Sequence, residues 1–267
     1  MKTSSTKNKI NKILTAAGSL VFWVGLWQLA SMAIGDEFFL PGPLPVLKEM
    51  LRLPGESAFF PALGMSVIRV LAGYIAGVLI GVILAVLTSL SPIVKGLFEP
   101  LLSVIRATPV VSFIILAFLL FDRSHVPSYI VILMVAPMIW ANMSEGIGRV
   151  DKSLKEMVSL FRFKPLSALR HLWFPSLAPY FASSAVSAFG FAWKSGVAAE
   201  IICYPDVSMG KMIYNSRVAL DSVSIFAITA YVIILSIIFE KILKTILAGK
   251  GIKADKNRAL AKEDGGK

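Results

Sequence analysis

Apolar residues in this chain come in long uncharged blocks, not in the short alternations of a soluble fold. Uncharged runs extend from Ile13 to Gly35, Val70 to Val94, Ala107 to Phe121, Val126 to Ser144, His171 to Trp193 and Ser222 to Phe239. A membrane-crossing helix needs about 20 predominantly apolar residues, and most of these runs reach that. The run from Ala107 is shorter, but it extends back to Pro100 if Arg106 is tolerated within it. The pattern predicts an all-α, polytopic membrane protein with six transmembrane helices. Their expected places are about 13–34, 62–88, 100–121, 126–148, 174–201 and 222–247. Residues 1–12 then form a basic tail, 13–61 the first span and an outer loop, 62–247 one membrane domain, and 248–267 a disordered tail.

Two loops carry amphipathic patterns. In the outer loop, Pro45 to Leu51 is apolar at Val46, Leu47, Met50 and Leu51, which predicts a short interfacial helix with proline in its first turn. Between the fourth and fifth spans, Leu154, Met157, Val158 and Phe161 follow an i, i+3, i+4, i+7 spacing on one helical face. Pro165 disfavours helix at Lys164 and starts a second short pattern, Leu166, Leu169, Leu172 and Trp173, before Pro175 leads into the fifth span. Two short helices at an angle make a knob. On amphipathicity alone it is either a connector lying on lipid headgroups or a surface that another protein grips.

Composition changes the picture little: 56% hydrophobic and 16% charged residues fit a chain buried in lipid. The net charge of +11 matters more, because a basic balance can signal nucleic acid. Its placement excludes that reading. With the N-terminus cytoplasmic, nineteen basic residues fall inside, five outside and three within spans. Such a bias is what the positive-inside rule expects with both termini in the cytoplasm. Cys203 is the single cysteine, so it has no disulfide partner in the chain, and no metal-ligand spacing surrounds it. The lysines and apolar stretch at the start resemble a signal peptide, yet the apolar part is too long for one, so a retained first helix is expected.

Within the spans, Gly73, Gly77 and Gly81 stand four apart, one face on which another backbone can approach closely. Between Ala182 and Ala199, twelve of eighteen residues are Ala, Ser or Gly. So small-sided a helix suits close packing or the wall of a polar passage, and both remain open. If it is a passage, Arg106, Ser187, Gly190, Lys194 and Glu200 are the candidates to line it. Arg69 and Glu200 fall near the outer interface, where snorkelling accounts for them; Lys194 lies deeper and Arg106 near the cytoplasmic end. His125 and His171 sit at membrane edges, and no series of Asp, Glu or His on one face suggests a proton relay.

The segment around Glu156, with Leu172-Trp173-Phe174-Pro175 closing it, resembles the cytoplasmic "EAA" motif of ABC importer permeases. Ser66-Val67-Ile68-Arg69-Val70-Leu71-Ala72-Gly73-Tyr74 is similar to that family's Ser-x-x-Arg-Val-x-x-Gly-Phe start, and Arg106-Ala107-Thr108-Pro109 to its Arg-Pro-x-Pro stretch. Ala192-Trp193 and Val197-Ala198-Ala199-Glu200 resemble the fifth span of the nitrate/sulfonate/taurine-type subfamily. The order and spacing of these matches, over about 40–247, are more specific than any one of them. The chain also departs from the motif: Met157 and Val158 replace two alanines, and Arg162 stands at the glycine. An arginine with positive φ is strained, so the helix break is expected to move to Phe163-Lys164-Pro165.

The resemblance implies a MetI-like permease subunit over 62–247, not an enzyme, forming the path for a small solute. Nitrate, sulfonate or taurine-like anions, or a thiamine-precursor-like compound, are the implied cargo. It implies cytoplasmic ATPase subunits, an extracytoplasmic solute-binding protein and a second permease copy as partners, in a lipid bilayer, with no cofactor or metal. The ATPase-docking loop, a coupling helix, would use Glu156, Met157, Val158, Phe161, Arg162, Pro165, Leu169, Leu172 and Pro175. The chain agrees in lacking a Gly-x4-Gly-Lys-Ser/Thr phosphate loop. The rival is a secondary transporter that needs no ATPase, which should show related repeat halves with ionisable residues at the midplane; neither is evident.

Overall fold

The computed structural model describes residues 3–264, with side-chain surroundings at Thr15 and over 18–247. The segments expected as tails, 1–12 and 248–267, lie outside the residues whose side chains are described. The described chain is almost wholly helical, with no strand. In order it forms α1 (Thr3–Ile34), α2 (Pro43–Arg52) with a 3₁₀ turn (Leu53–Gly55), α3 (Phe59–Leu90), α4 (Pro92–Ala107) and α5 (Val110–Leu120). There follow α6 (Val126–Gly148), α7 (Lys152–Leu160), α8 (Pro165–Ala168), a π-helical turn (Leu169–Trp173), α9 (Phe174–Cys203), α10 (Met209–Val218) and α11 (Ser222–Asp264). The last helix is continuous past residue 247, where the sequence pattern ends the sixth span.

Among the described residues, Phe59–Leu90, Val126–Gly148, Pro165–Cys203 and Ser222–Leu247 are long and apolar enough to cross a membrane. Gly18–Ile34 is apolar but shorter. The expected third span, 100–121, is not one helix: α4 and α5 meet at a 104° bend. Proline explains it. Pro109 has no N–H to donate and pushes the preceding residue out of the helical region, and Thr108 is extended at φ −83°, ψ 136°. With that bent pair taken as one span the count is five.

Two compact units organise the chain: 1–60 with 212–232, and 61–211 with 233–267. In the first, Trp27 donates to Pro41 O at 3.0 Å and stacks on Phe226 at 6.0 Å. Tyr231 donates to Met50 O at 2.7 Å and packs edge-on against Phe59 at 4.9 Å. The interfacial helix α2 starts at Pro43, two residues before Pro45. Its Glu49 carboxylate accepts from Arg52 at 2.7 Å and from Ser224 at 3.1 Å, and the Arg52 guanidinium holds that carboxyl below its usual range.

In the second unit α6 and α9 are central: the apolar stretches of Val126–Gly148 and Pro165–Cys203 are 61% buried, against 33% for that of α3. Ile114 on α5, Val126, Ile130 and Met134 on α6, and Ala199 and Cys203 on α9 close one core. On α3 Gly73, Gly77 and Gly81 look inward, while Ile75, Leu79 and Ile83, about half a turn away, are more than half exposed. This is the two-faced pattern of a helix between protein and lipid.

Candidate docking segment and transport core

The segment after α6 begins with Asp151, whose carboxylate caps α7 by accepting from Ser153 N at 3.0 Å. Those Ser153 hydrogen bonds hold the Asp151 carboxyl below the usual carboxylate range. Lys155 Nζ donates to Ile147 O at 3.2 Å and lies 5.6 Å over the Trp173 ring, tying α7 to the end of α6 and to the turn before α9. Glu156, Met157, Phe161 and Arg162 are exposed and Val158 is half-buried. Leu160 and Phe161, 80% and 75% exposed, form an uncovered apolar tip.

Arg162 overturns one expectation. It has φ 46°, the left-handed region, so the break has not moved off the motif's glycine position. The amide of Arg162 donates to Ser159 O and that of Phe163 to Val158 O, both at 3.2 Å. Those are the two bonds of a Schellman cap, which satisfy carbonyls the last helical turn would leave open and hold C′ left-handed whatever its side chain. Lys164 is then extended (ψ 142°) before Pro165, which starts α8. Arg162→Gly relieves roughly 1–2 kcal/mol of left-handed strain against about 0.4–1 kcal/mol of added unfolded-state entropy. The expected outcome is slower amide hydrogen exchange over the last turn of α7. Faster exchange there would mean that the arginine side chain makes the turn.

Of the remaining docking candidates, Leu169 is exposed, Pro175 half-buried and Leu172 buried. Leu172 and Ala168 anchor the segment from within, so Leu172 is not surface that a partner can touch in this conformation. The π turn at Leu169–Trp173 carries Phe174 N to Leu169 O, shifting the helical ladder just before Pro175, which has no N–H to give.

The glycines sit where α3 meets α6. A Cβ on Gly73 would stand 2.6 Å from Ser128 O, on Gly77 2.8 Å from Val135 Cβ, and on Gly81 2.6 Å from Ala136 O. The sequence reading missed Gly196, where a Cβ would meet Val70 Cγ2 at 2.7 Å and Val131 Cγ2 at 3.0 Å, bringing α9 onto the same contact. Its only signal was membership in the small-residue run.

Arg69 and Glu200 do not snorkel. They form a buried pair at 3.3 Å, with Glu200 fully buried and Arg69 9% exposed. Ser66 Oγ donates to Glu200 at 2.5 Å and Gly210 N at 3.3 Å, so the carboxylate caps α10. Arg69 also donates to Ser124 O at 3.0 Å and Val207 O at 2.7 Å. Together these bonds fasten α3, the turn before α6 and the α9–α10 linker into one clasp. From local pattern alone each charge had a position but no partner.

The five passage candidates therefore separate. Glu200 belongs to the clasp, and Gly190 is buried where a Cβ would stand 2.5 Å from Glu240 Oε1. Ser187 and Lys194 are exposed on one stripe of α9 with Phe191. Phe191 and Arg106 line a cavity of about 530 Å³ at the α4–α5 bend, with Pro109, Met134 and Pro137. No group of His, Cys, Asp and Glu fit to hold a metal occurs among the described residues.

Residues 77–248 match the family model described as "Binding-protein-dependent transport system inner membrane component". The chain is similar to the taurine transport system permease protein TauC of Escherichia coli (strain K12), 25% identical over 235 residues, 82% of each chain. It is also similar to the nitrate import permease protein NrtB of Synechococcus elongatus, 22% identical over 221 residues, 78% of each. In fold it is similar to a chain of the MetNI methionine ABC transporter in an inward-facing conformation, with TM-score 0.57 and 14% identity, covering 77% of this chain and 97% of that one. With the family model spanning well over half its length, this helical, multi-pass chain belongs to the inner-membrane components of binding-protein-dependent transport systems, the ABC importer permeases, whose ATPase is a separate subunit.

Proposed function

We propose that this chain carries a small anion of the sulfonate, nitrate or bicarbonate class inward, working as a pair of identical copies in the bilayer. Supply falls to a solute-binding protein outside and drive to two ATPase subunits docked on 151–175. Six spans with both termini cytoplasmic, Gly18–Ile34 being part of the first, put that segment on the ATPase side. The observation that carries the reading is the tip at Leu160 and Phe161, which a partner groove would bury. Relatives whose printed names are taurine, nitrate, bicarbonate and aliphatic sulfonate permeases support the anion class. Closure of the ATPases would move α7 and α8 as a lever, through Lys155 and the anchored Leu172, and repack α6 and α9 as rigid bodies. Arg106, Ser187, Phe191 and Lys194 would line the path.

Glu156 tests the docking role. It is exposed and makes no ion pair among the described residues, though Lys152, Lys155, Arg162 and Lys164 surround it in sequence. That leaves its carboxylate available to a partner. Glu156→Lys should lower co-purification of the ATPase and cut ATP-driven taurine or nitrate uptake in vesicles by roughly tenfold or more, with the spans still folded. A connector lying on lipid would respond in the opposite way, since an added lysine strengthens attraction to anionic headgroups by roughly 1 kcal/mol. Full ATPase retention and full uptake in Glu156→Lys sink the docking role.

A further inference from the structure

The end of α3, α4, the end of α6 and α7 enclose a second cavity, of about 770 Å³. We propose that it is an oxyanion-binding site in which the Arg106 guanidinium, steadied over the Trp140 ring, holds a sulfonate, phosphate or carboxylate group. It deepens the proposed transport role, in which Arg106 lines the path, and rests on that reading for the side of the membrane to which the cavity opens.

Arg106 carries the argument. Its side chain is exposed, and its Cζ lies 5.8 Å from the centre of the Trp140 ring. Among the described residues it makes no hydrogen bond or ion pair. A guanidinium parked on an aromatic face is held in place while its N–H donors remain open to an acceptor. The ring beneath it is fixed: Trp140 is buried, and its Nε1 donates to Thr88 Oγ1 at 2.9 Å. Thr88 in turn donates to Leu84 O at 2.8 Å. The indole N–H is thus satisfied within the protein, and the ring's face serves to seat the Arg106 guanidinium.

One turn further along α6, on the same face, Ser144 also lines the cavity, and its Oγ is buried with no hydrogen-bond partner. Buried hydroxyls are normally satisfied. After rotation about χ1, an acceptor beside Arg106 would give this one its partner. Charge points the same way. Lys95, Arg106 and Lys155 line the cavity against Glu99 and Glu145, and Glu145 is already matched by Arg149 at 2.7 Å. Lys95 and Arg106 lie on one face of α4, about 16 Å apart along its axis. Glu99 is one turn from Lys95, which leaves the Arg106 end as the uncompensated one. Lys155 belongs to the docking segment, so an anion in the cavity sits where α7 can respond to it.

The same chemistry suits a free solute anion and the phosphate of an anionic lipid, and the test separates them. The full-length chain, in the complex in which it is purified, is placed in nanodiscs of neutral lipid. Sulfate and ethanesulfonate are then titrated against chloride at constant ionic strength, reading tryptophan fluorescence and the thermal midpoint. The expected result is a saturable response, weakened about tenfold in Arg106→Gln and unchanged in Lys241→Gln. In a second arm, nanodiscs containing anionic phospholipid replace the soluble anions. If the resident is a lipid phosphate, the midpoint rises with that lipid in the natural chain and not in Arg106→Gln, and the soluble anions bind only in neutral discs. Identical responses of the natural chain and Arg106→Gln in both arms overturn the site. No transport is read, so that outcome leaves the proposed function standing.

Discussion

Glu200→Ala is expected to lower the stability of the purified protein by about 3–5 kcal/mol, the usual cost of removing one side of a buried ion pair. The substitution leaves the Arg69 guanidinium, 9% exposed, without its counter-charge. It also removes the acceptor of Ser66 Oγ and of Gly210 N, so the first turn of α10 loses its cap. Arg69→Ala should be at least as damaging, because Ser124 O and Val207 O lose their donor while Glu200 loses its counter-charge in a dry site. The two effects should not add. Removing both charges by Arg69→Ala with Glu200→Ala leaves no uncompensated ion, so the double variant should be more stable than the sum of the two single effects predicts. The measurement is thermal unfolding of all four proteins in one detergent. Single variants that melt with the natural chain, or a double variant that shows simple additivity, would mean that the clasp is not a coupled pair.

How much of this was legible beforehand depends on the range of each interaction. The glycine face of α3 was legible because helical periodicity is local: residues four apart share a face in any helix. The clasp was not, because Arg69 and Glu200 are 131 residues apart and only the packed bundle brings them together. Position near an interface made snorkelling sufficient, and nothing in the flanking residues argued against it. The α4–α5 bend lay in between. Thr108-Pro109 is a break signal, but the apolar run on both sides of it fits a single span equally well. Arg162 shows the opposite error, in which a sound local rule was overruled. Left-handed strain disfavours arginine, yet the paired amide bonds to Ser159 and Val158 and the extended Lys164 before Pro165 fix the turn geometry first. The side chain accepts what the backbone has set. The segment after α6 was legible as an amphipathic pattern, but which of its apolar residues anchor it was not: Leu169 and Leu172 fit one pattern, and only the latter is buried.

The contact between α3 and α6 gives the other large expected effect, and it is graded. A Cβ on Gly77 would stand 2.8 Å from Val135 Cβ and 3.3 Å from Ile132 Cα, so even alanine forces the helices apart. On Gly73 and Gly81 the first atom met is a backbone carbonyl oxygen at 2.6 Å, which has no rotamer with which to yield. Gly73→Ala and Gly81→Ala should therefore destabilise more than Gly77→Ala. Gly77→Leu, which drives a branched side chain into the same gap, should cost about 1–3 kcal/mol or more. Lipid gives no hydrophobic reward for keeping helices together, so lost van der Waals contact is not recovered elsewhere. Gly64 lies on the same helix with nothing within 4 Å of its added Cβ, and it serves as the control. Gly64→Ala should be neutral or stabilise by about 0.4–1 kcal/mol, because alanine restricts the unfolded chain without strain in the helix. The readouts are the thermal midpoint and the yield of folded protein across the five variants. A Gly77→Leu protein with the natural midpoint would place this face against lipid, and an alanine series that ranks Gly77 as the most sensitive position would contradict the carbonyl contacts at either end.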